Sequence, residues 1–421
     1  GAHLSSYKGA STDIVVPAAW KGQPVVEASL APDDTTTSID LGHATDLRIL
    51  SVIGGDPTLD KLDVSRNTKL TRIVVADVPL TSLDVSVNTS LEELRLGFTR
   101  VKKLNLSRNT RLVSLYCGGY VSSVILPKTK TLKTVEFELA SKLKTLNVRN
   151  NPGLTTLLLG DSGLSKIDLS KNKALQRLDL SFTKVNPASA KVSMLTKLTE
   201  LSVGFNTTFS RLDLKKLTRL EVLDIAGTKL KTVGLKTLTK LRSLTLGGAL
   251  TKVDLSRNTQ LTWLHDTGKR LVSLNLSKNT KLETVAIYGS KLTSLNVRNN
   301  KVLRSLGVYN TPITRLDISG LSLLEGVDVW GGKKLAALTF GGNAALESVV
   351  VLGNKVTSLD VSTLGKLGYL DFSGNPGLAV RIDPSNNPDL YGVEYSPVTV
   401  SAHEWVDLGE GWKAQTLTNA K

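Results

Sequence analysis

This chain of 421 residues is short of the side chains that usually carry chemistry: one cysteine, one methionine, four histidines and only 5% aromatics. Cys117 is alone, so no disulfide framework can hold the fold. His3, His43, His265 and His403 lie far apart without metal-ligand spacing, so no metal is expected. No phosphate-cradling loop, nucleophile elbow or zinc signature appears, which leaves catalysis without a motif and no cofactor to hold. No apolar run approaches the ~18 residues that a membrane helix needs, so no membrane span is expected. The first residue is Gly1 rather than methionine, and the chain reads as a processed product whose targeting segment has been removed.

What is present is charge and repetition. The net charge is +16, enough to attract anionic surfaces if it gathers into a patch. "LDVSRNT" at Leu62 returns as "LDVSVNT" at Leu83, "LNLSRNT" at Leu104, "VDLSRNT" at Val253 and "LNLSKNT" at Leu274. One frame runs from Ile39 to the coil that starts at Val380, in steps of 20 to 23 residues and mostly 21, giving about seventeen coils. That period belongs to the leucine-rich length class of ~20–29 residues.

Each coil has two halves. In Leu91-Glu-Glu-Leu94-Arg-Leu96-Gly97 apolar and polar residues alternate, the mark of a half-buried strand. With the leading Leu as position 1, positions 4 and 6 face the core and positions 3, 5 and 7 face solvent. One coil cannot bury its own apolar side, so neighbours stack with their strands parallel. The L-x-x-L-x-L frame resembles leucine-rich repeat proteins, and its 21-residue L-D-V-S-x-N-T variant resembles bacterial surface proteins of the internalin type. The resemblance covers roughly residues 39–400. It implies a leucine-rich repeat solenoid (formally α/β class but rich in β-structure) with a parallel sheet as its concave wall. Cys117, at position 6 of "LVSLYC", stands where some members carry a cysteine ladder; read from the residues alone it is a small buried apolar side chain. One departure is that Asn at position 9 survives only in Asn206, Asn354 and Asn375.

The regular asparagines sit in the other turn instead: Asn67, Asn88, Asn109, Asn151, Asn172, Asn258, Asn279, Asn300 and Asn343. An inward Asn in a tight turn is expected to bond orphaned backbone groups of its own and the next coil. Leu195, Leu217, Leu238, Leu321 and Leu364 replace it in coils whose L-x-x-L-x-x-L spacing suits a short helical turn. Catalytic residues do not usually trade places with Leu, so this column reads as scaffold.

Residues 1–38 lack the frame and read as an N-terminal cap, in which "TDIVVPAAWKGQPVVEA" makes a hairpin around "KGQP". Residues 39–400 form the solenoid. Residues 401–421 form a C-terminal cap whose Trp405 and Trp412 are cap core. Both segments resemble the ends of bacterial leucine-rich surface proteins, and with both present the chain reads as a complete ectodomain.

Function is sought at the outward strand positions. Position 7 is mostly small through Gly247, then runs Thr267, Tyr288, Tyr309, Trp330 and Leu352. Three aromatics and a Leu in four consecutive coils make the clearest binding signal in so aromatic-poor a chain. Trp263 and Tyr369, at position 3, are expected to flank it. The competing reading is that these rings pack over glycine-rich neighbours and shield the sheet. The eleventh coil, "LTWLHDTGKR", places Asp266 where position 6 should be apolar. Either His265 and Asp266 are presented to a ligand, or the coil bulges and Asp266 turns to solvent or caps backbone. Position 5 is acidic at Glu136, Asp179, Asp224, Asp328, Asp371 and Glu394, while basic residues such as Arg66, Lys69, Arg108, Arg111 and Arg298 gather on the opposite turns.

The expected ligand-binding set is therefore Trp263, His265, Tyr288, Tyr309, Asp328, Trp330, Leu352 and Tyr369, with no catalytic residues. The chain reads as a non-enzymatic recognition module, secreted or at a bacterial cell surface and monomeric, that binds a protein or glycan on the concave face. The alternatives are a polyanion binder using the basic back and a passive spacer. Nucleic acid is disfavoured, because the basic back has almost no interleaved aromatics to stack on bases.

Overall fold

The computed structural model describes residues 1–7, 12–55, 58–383, 385–388, 390, 392–394, 406–407 and 413–414. They fall into two compact units, residues 1–209 and 210–421. In the first unit, parallel strands follow one another from Gln23–Leu30 through Ile49–Ile53, Arg72–Ala76, Glu93–Gly97, Ser114–Gly118 and Thr134–Glu138, then Thr156–Leu158, Arg177–Asp179 and Glu200–Ser202. The second unit repeats the pattern from Val222–Asp224 to Gly392–Glu394. Both units are parallel β-solenoids of stacked coils.

Register holds the frame. Leu94 pairs with Leu115 and Leu115 with Val135, so position 4 stacks on position 4. Leu91, Leu94 and Leu96 are fully buried, as are Leu112, Leu115 and Cys117 one coil on. Burial of each such side chain contributes about 1.5–3 kcal/mol, and the contribution recurs once per coil. Burial also pushes the Cys117 thiol up to about 12, so it is a neutral core group.

The "LDVSRNT" half is explained letter by letter. Asp63 Oδ1 accepts the Ser65 N–H at 2.8 Å, and Asp84 does the same for Ser86. Asn105 makes this Asx turn with Ser107, so Asp and Asn are equivalent there. The buried asparagine follows. Asn88 Nδ2 donates to Val64 O at 3.1 Å and Asn67 O at 2.8 Å. Asn109 donates to Val85 O and Asn88 O, and Asn172, Asn279 and Asn300 repeat the pattern. The partners all belong to the preceding coil, not to the residue's own and the next as expected. The amide reaches back because its own turn is already closed, Asn88 N–H to Val85 O and Leu91 N–H to Asn88 O.

Where Leu replaces Asn the same closure forms, with Leu217 N–H on Leu214 O and Leu220 N–H on Leu217 O. In the coils of Leu217, Leu238, Leu321 and Leu364 the expected helical turns therefore do not develop. A 3-10 turn, Val192–Met194, leads into Leu195, and a four-residue helix, Pro187–Ala190, stands just before it with Asn186 Oδ1 accepting the Ala188 N–H. Elsewhere a single closed turn already satisfies the backbone and no second helical bond is needed.

Position 8 takes the left-handed conformation in most coils. Glycine occupies it at Gly227, Gly248, Gly289, Gly331, Gly353 and Gly374 of the second unit. In the first unit Gly119 holds it once, and the other left-handed positions belong to Asp77, Phe98, Leu139, Asp161, Phe182 and Phe205, with φ between 51° and 56°. That conformation costs a bulky residue about 1–2 kcal/mol.

At the N-terminus, Ala19–Trp20 pairs antiparallel with Pro24 and Gln23 across Lys21 and Gly22, a tighter hairpin than "KGQP" suggested because both turn residues adopt positive φ. Gln23–Leu30 then continues in parallel beside Ile49–Ile53. Towards the C-terminus Val406–Asp407 pairs antiparallel with Lys413–Ala414. Trp405 and Trp412 lie outside the described residues.

Candidate binding face of the second unit

Four neighbouring strands of the second unit, Trp263–Asp266, Thr284–Tyr288, Ser305–Tyr309 and Gly326–Trp330, bring together most of the residues singled out in the sequence. Tyr288 pairs in register with Tyr309, and Tyr309 with Trp330. Their ring centroids are 4.2 and 5.0 Å apart, tilted by 36° and 47°. His265 extends the row from position 5: its ring lies 5.0 Å from Tyr288 and meets Trp263 edge-on at 5.3 Å. Five rings thus touch in sequence, in the tilted and edge-on geometries that aromatic quadrupoles favour. Leu352 continues the column by its register with Trp330. Tyr369 stands at position 3 of Tyr369–Asp371, paired with Ser348, towards the opposite end of its strand from the position-7 column.

The rings are less free than the sequence implied. Tyr288 is exposed at 36%, while Trp263, Tyr309 and Trp330 are half-buried. Tyr309 folds back over Gly307, where an added Cβ would lie 2.3 Å from its hydroxyl oxygen. Glycine at 307 is required by that ring, so the packing reading holds at this one position.

Electrostatics beneath the row are unusual. Tyr309 Oη donates to Asp328 Oδ2 at 3.1 Å. Burial, reinforced by the Asp328 charge, holds the Tyr309 hydroxyl well above its ordinary value. Burial also raises Asp328, against the opposing effect of the Tyr309 hydrogen bond. His265 is pushed down by burial, with Asp224 opposing, so it is a neutral imidazole at neutral pH. His265 Nε2 and Asp328 Oδ1 are buried without a hydrogen-bond partner among the described residues. The row therefore covers a carboxylate oxygen and a ring nitrogen that no described neighbour satisfies.

Asp266 caps backbone, as the second reading allowed, but without the bulge or the turn to solvent. Its strand keeps register, Asp266 paired with Leu246 and Ile287, so the coil does not bulge. The carboxylate stays at core position 6 with 2% exposure and does not turn to solvent. It caps backbone from inside, Oδ1 accepting the Gly268 N–H at 3.0 Å, while Oδ2 has no donor among the described residues. Desolvation pushes its carboxyl up to about 6.

On the opposite turns, part of the basic charge is locally paired. Lys69 is held to Asp46, Arg111 to Glu92 and Arg298 to Asp317. Among the described residues no group of three or more His, Cys, Asp or Glu could hold a metal, and no helix is long and apolar enough to cross a membrane.

A parallel solenoid of 21-residue coils with L-x-x-L-x-L strands and an asparagine ladder is a leucine-rich repeat fold. No family model matches the chain, and no curated protein does. Among solved structures it is similar to the functional domain of InlJ from Listeria monocytogenes, which includes a cysteine ladder: 24% identity, 83% of this chain and 69% of that one, TM-score 0.56. A leucine-rich repeat protein of Leptospira interrogans matches at 15% identity over 84% and 91% of the two chains, TM-score 0.55. The plant peptide hormone receptor RGFR1, in complex with RGF2, matches at 15% identity over 92% and 85%, TM-score 0.53. These likenesses establish the fold.

Sequence reasoning missed the first unit's position-8 edge. Phe98, Leu139, Phe182 and Phe205 are all about half exposed or more, and the Phe182 and Phe205 rings stack at 4.5 Å. The repeat frame carries the signal, since the second unit places glycine there.

Proposed function

We propose that this chain is a non-catalytic recognition protein, secreted or displayed at a bacterial cell surface in the manner of an adhesin, that binds a protein or glycan through the strand face of its second unit. The observation that carries the reading is the five-ring row from Trp263 to Trp330, set over Asp328 in a chain with 5% aromatics. Trp263, His265, Tyr288, Tyr309 and Trp330 supply contact area, Asp328 and His265 accept donors, and Leu352 and Tyr369 extend the surface. Support comes from the fold's use in RGFR1, a peptide hormone receptor, and from its likeness to an internalin. Residues 1–38 and 401–421 serve as the covers of the two ends.

The test is a protein and glycan array probed with the parent chain and with a Tyr309→Ala/Trp330→Ala variant. Both rings lie on the solvent side of the sheet, so the variant keeps its core. The expected outcome is a ligand whose affinity falls at least about thirtyfold in the variant, as for loss of hot-spot residues, and changes little with salt. A ligand bound equally by both proteins, with affinity falling steeply in salt, would point to the basic turns and overturn the reading.

A further inference from the structure

The first unit carries its own unexplained surface. Phe98, Leu139, Phe182 and Phe205 are exposed at 62%, 54%, 53% and 49%, and all sit in a left-handed backbone that the second unit gives to glycine and, once, to Asn310. Each therefore costs the fold twice, through backbone strain and through apolar surface left in water. Phe182 and Phe205 stack almost parallel, at 10°, which fixes them as one flat apolar step. Beside Leu139 the strand face sinks into a depression of about 270 Å³ lined by Tyr116, Glu136, Leu139, Leu158, Asp161 and Asp179, among others. Gly160 forms part of its wall, and an added Cβ there would come within 2.7 Å of Asp179 Oδ2. The lining holds three carboxylates and, among the described residues, no lysine or arginine.

We propose that this edge and depression form a second docking site, for a polypeptide partner that lays apolar residues on Phe182, Phe205 and Leu139 and places a lysine or arginine between Glu136, Asp161 and Asp179. Charge selects the partner: three carboxylates around a small, partly apolar hollow favour a cationic head on an apolar stem, the form of Lys and Arg. Tyr116 adds an aromatic wall that a cation tolerates and an anion does not. The site is independent of the ring row in the second unit.

The experiment uses the whole chain and two labelled octapeptides, one with arginine between phenylalanine and leucine, the other with glutamate in its place, read by fluorescence anisotropy. The arginine peptide is expected to bind, and the glutamate peptide to bind at least about tenfold more weakly. Phe182→Gly/Phe205→Gly is expected to weaken the arginine peptide by about tenfold or more while the melting temperature holds or rises, since glycine suits the left-handed backbone. Asp179→Asn is expected to weaken the arginine peptide alone. Failure of the arginine peptide to bind, equal binding of both peptides, or unchanged binding in the double glycine variant overturns the proposal. The Tyr309→Ala/Trp330→Ala variant should bind the peptide normally; if it does not, the peptide sits on the second unit and this site falls.

Discussion

Replacing Asp266 with leucine removes a carboxylate from a column of apolar residues, with Leu246 before it and Ile287 after it. The side chain is 2% exposed, one oxygen has no donor among the described residues, and its carboxyl is pushed from an ordinary 3.8 up to about 6. At about 1.4 kcal/mol per tenfold in proton affinity, the ionised form is about 3 kcal/mol costlier folded than unfolded. The sign follows from the raised value. The stability linked to this group is fully present below about 4 and is lost as pH rises through about 6. Leucine does not titrate. The stability difference between variant and parent should therefore grow by about 3 kcal/mol between about pH 4 and about pH 8. Two smaller effects are nearly independent of pH: about 2 kcal/mol gained from the buried apolar side chain, and about 1 kcal/mol lost with the Gly268 hydrogen bond. Urea titrations of both proteins at the two pH values, followed by circular dichroism, measure the difference, and other titrating groups cancel in it. Asp266→Asn should show the same pH-dependent part without the apolar gain. A difference equal at both pH values would refute the premise that an ionised carboxylate is held in the core.

The ladder makes a second prediction: Asn88→Ala removes one of two hydrogen bonds from each of the Val64 and Asn67 carbonyls, which keep the backbone N–H groups of Asn67 and Leu70, and should cost about 1–2 kcal/mol in the same urea assay. Tyr309→Phe removes the hydroxyl that holds Asp328 down, so the Asp328 carboxyl should titrate at still higher pH than in the parent, measurable by carboxyl-carbon NMR. Cys117 should be inert to a thiol reagent in the folded chain at pH 8 and react fully in denaturant, because the buried thiol holds its proton to about 12.

Much of this was legible in the residues because a strict period turns sequence position into spatial position. Leu91, Leu94 and Leu96 mark the core, and Tyr288, Tyr309 and Trp330 fall in one column because parallel register carries position 7 onto position 7. What periodicity cannot encode is which way a side chain lies within its column. Tyr309 folding over Gly307, and His265 joining the ring row from position 5, depend on rotamers set by the space around small neighbours. Asp266 was undecidable for a related reason: a core position and a carboxylate make opposite demands, and the nearby Gly268 N–H settles them. The Phe98 to Phe205 edge was hidden by turn chemistry, since a rule that expects Gly or Asn in left-handed backbone does not look for phenylalanine there.

The asparagine ladder also has a direction. Each amide closes on carbonyls that the preceding coil has already placed, so acceptors exist before the donor arrives. A chain emerging N-terminus first meets a finished template at every step, and the array can extend like courses of brick laid on set mortar. The same dependence makes the whole coil the natural unit of change. Excising one complete 21-residue repeat leaves the next donor facing an equivalent acceptor, whereas a smaller deletion breaks the rungs of the coil it falls in.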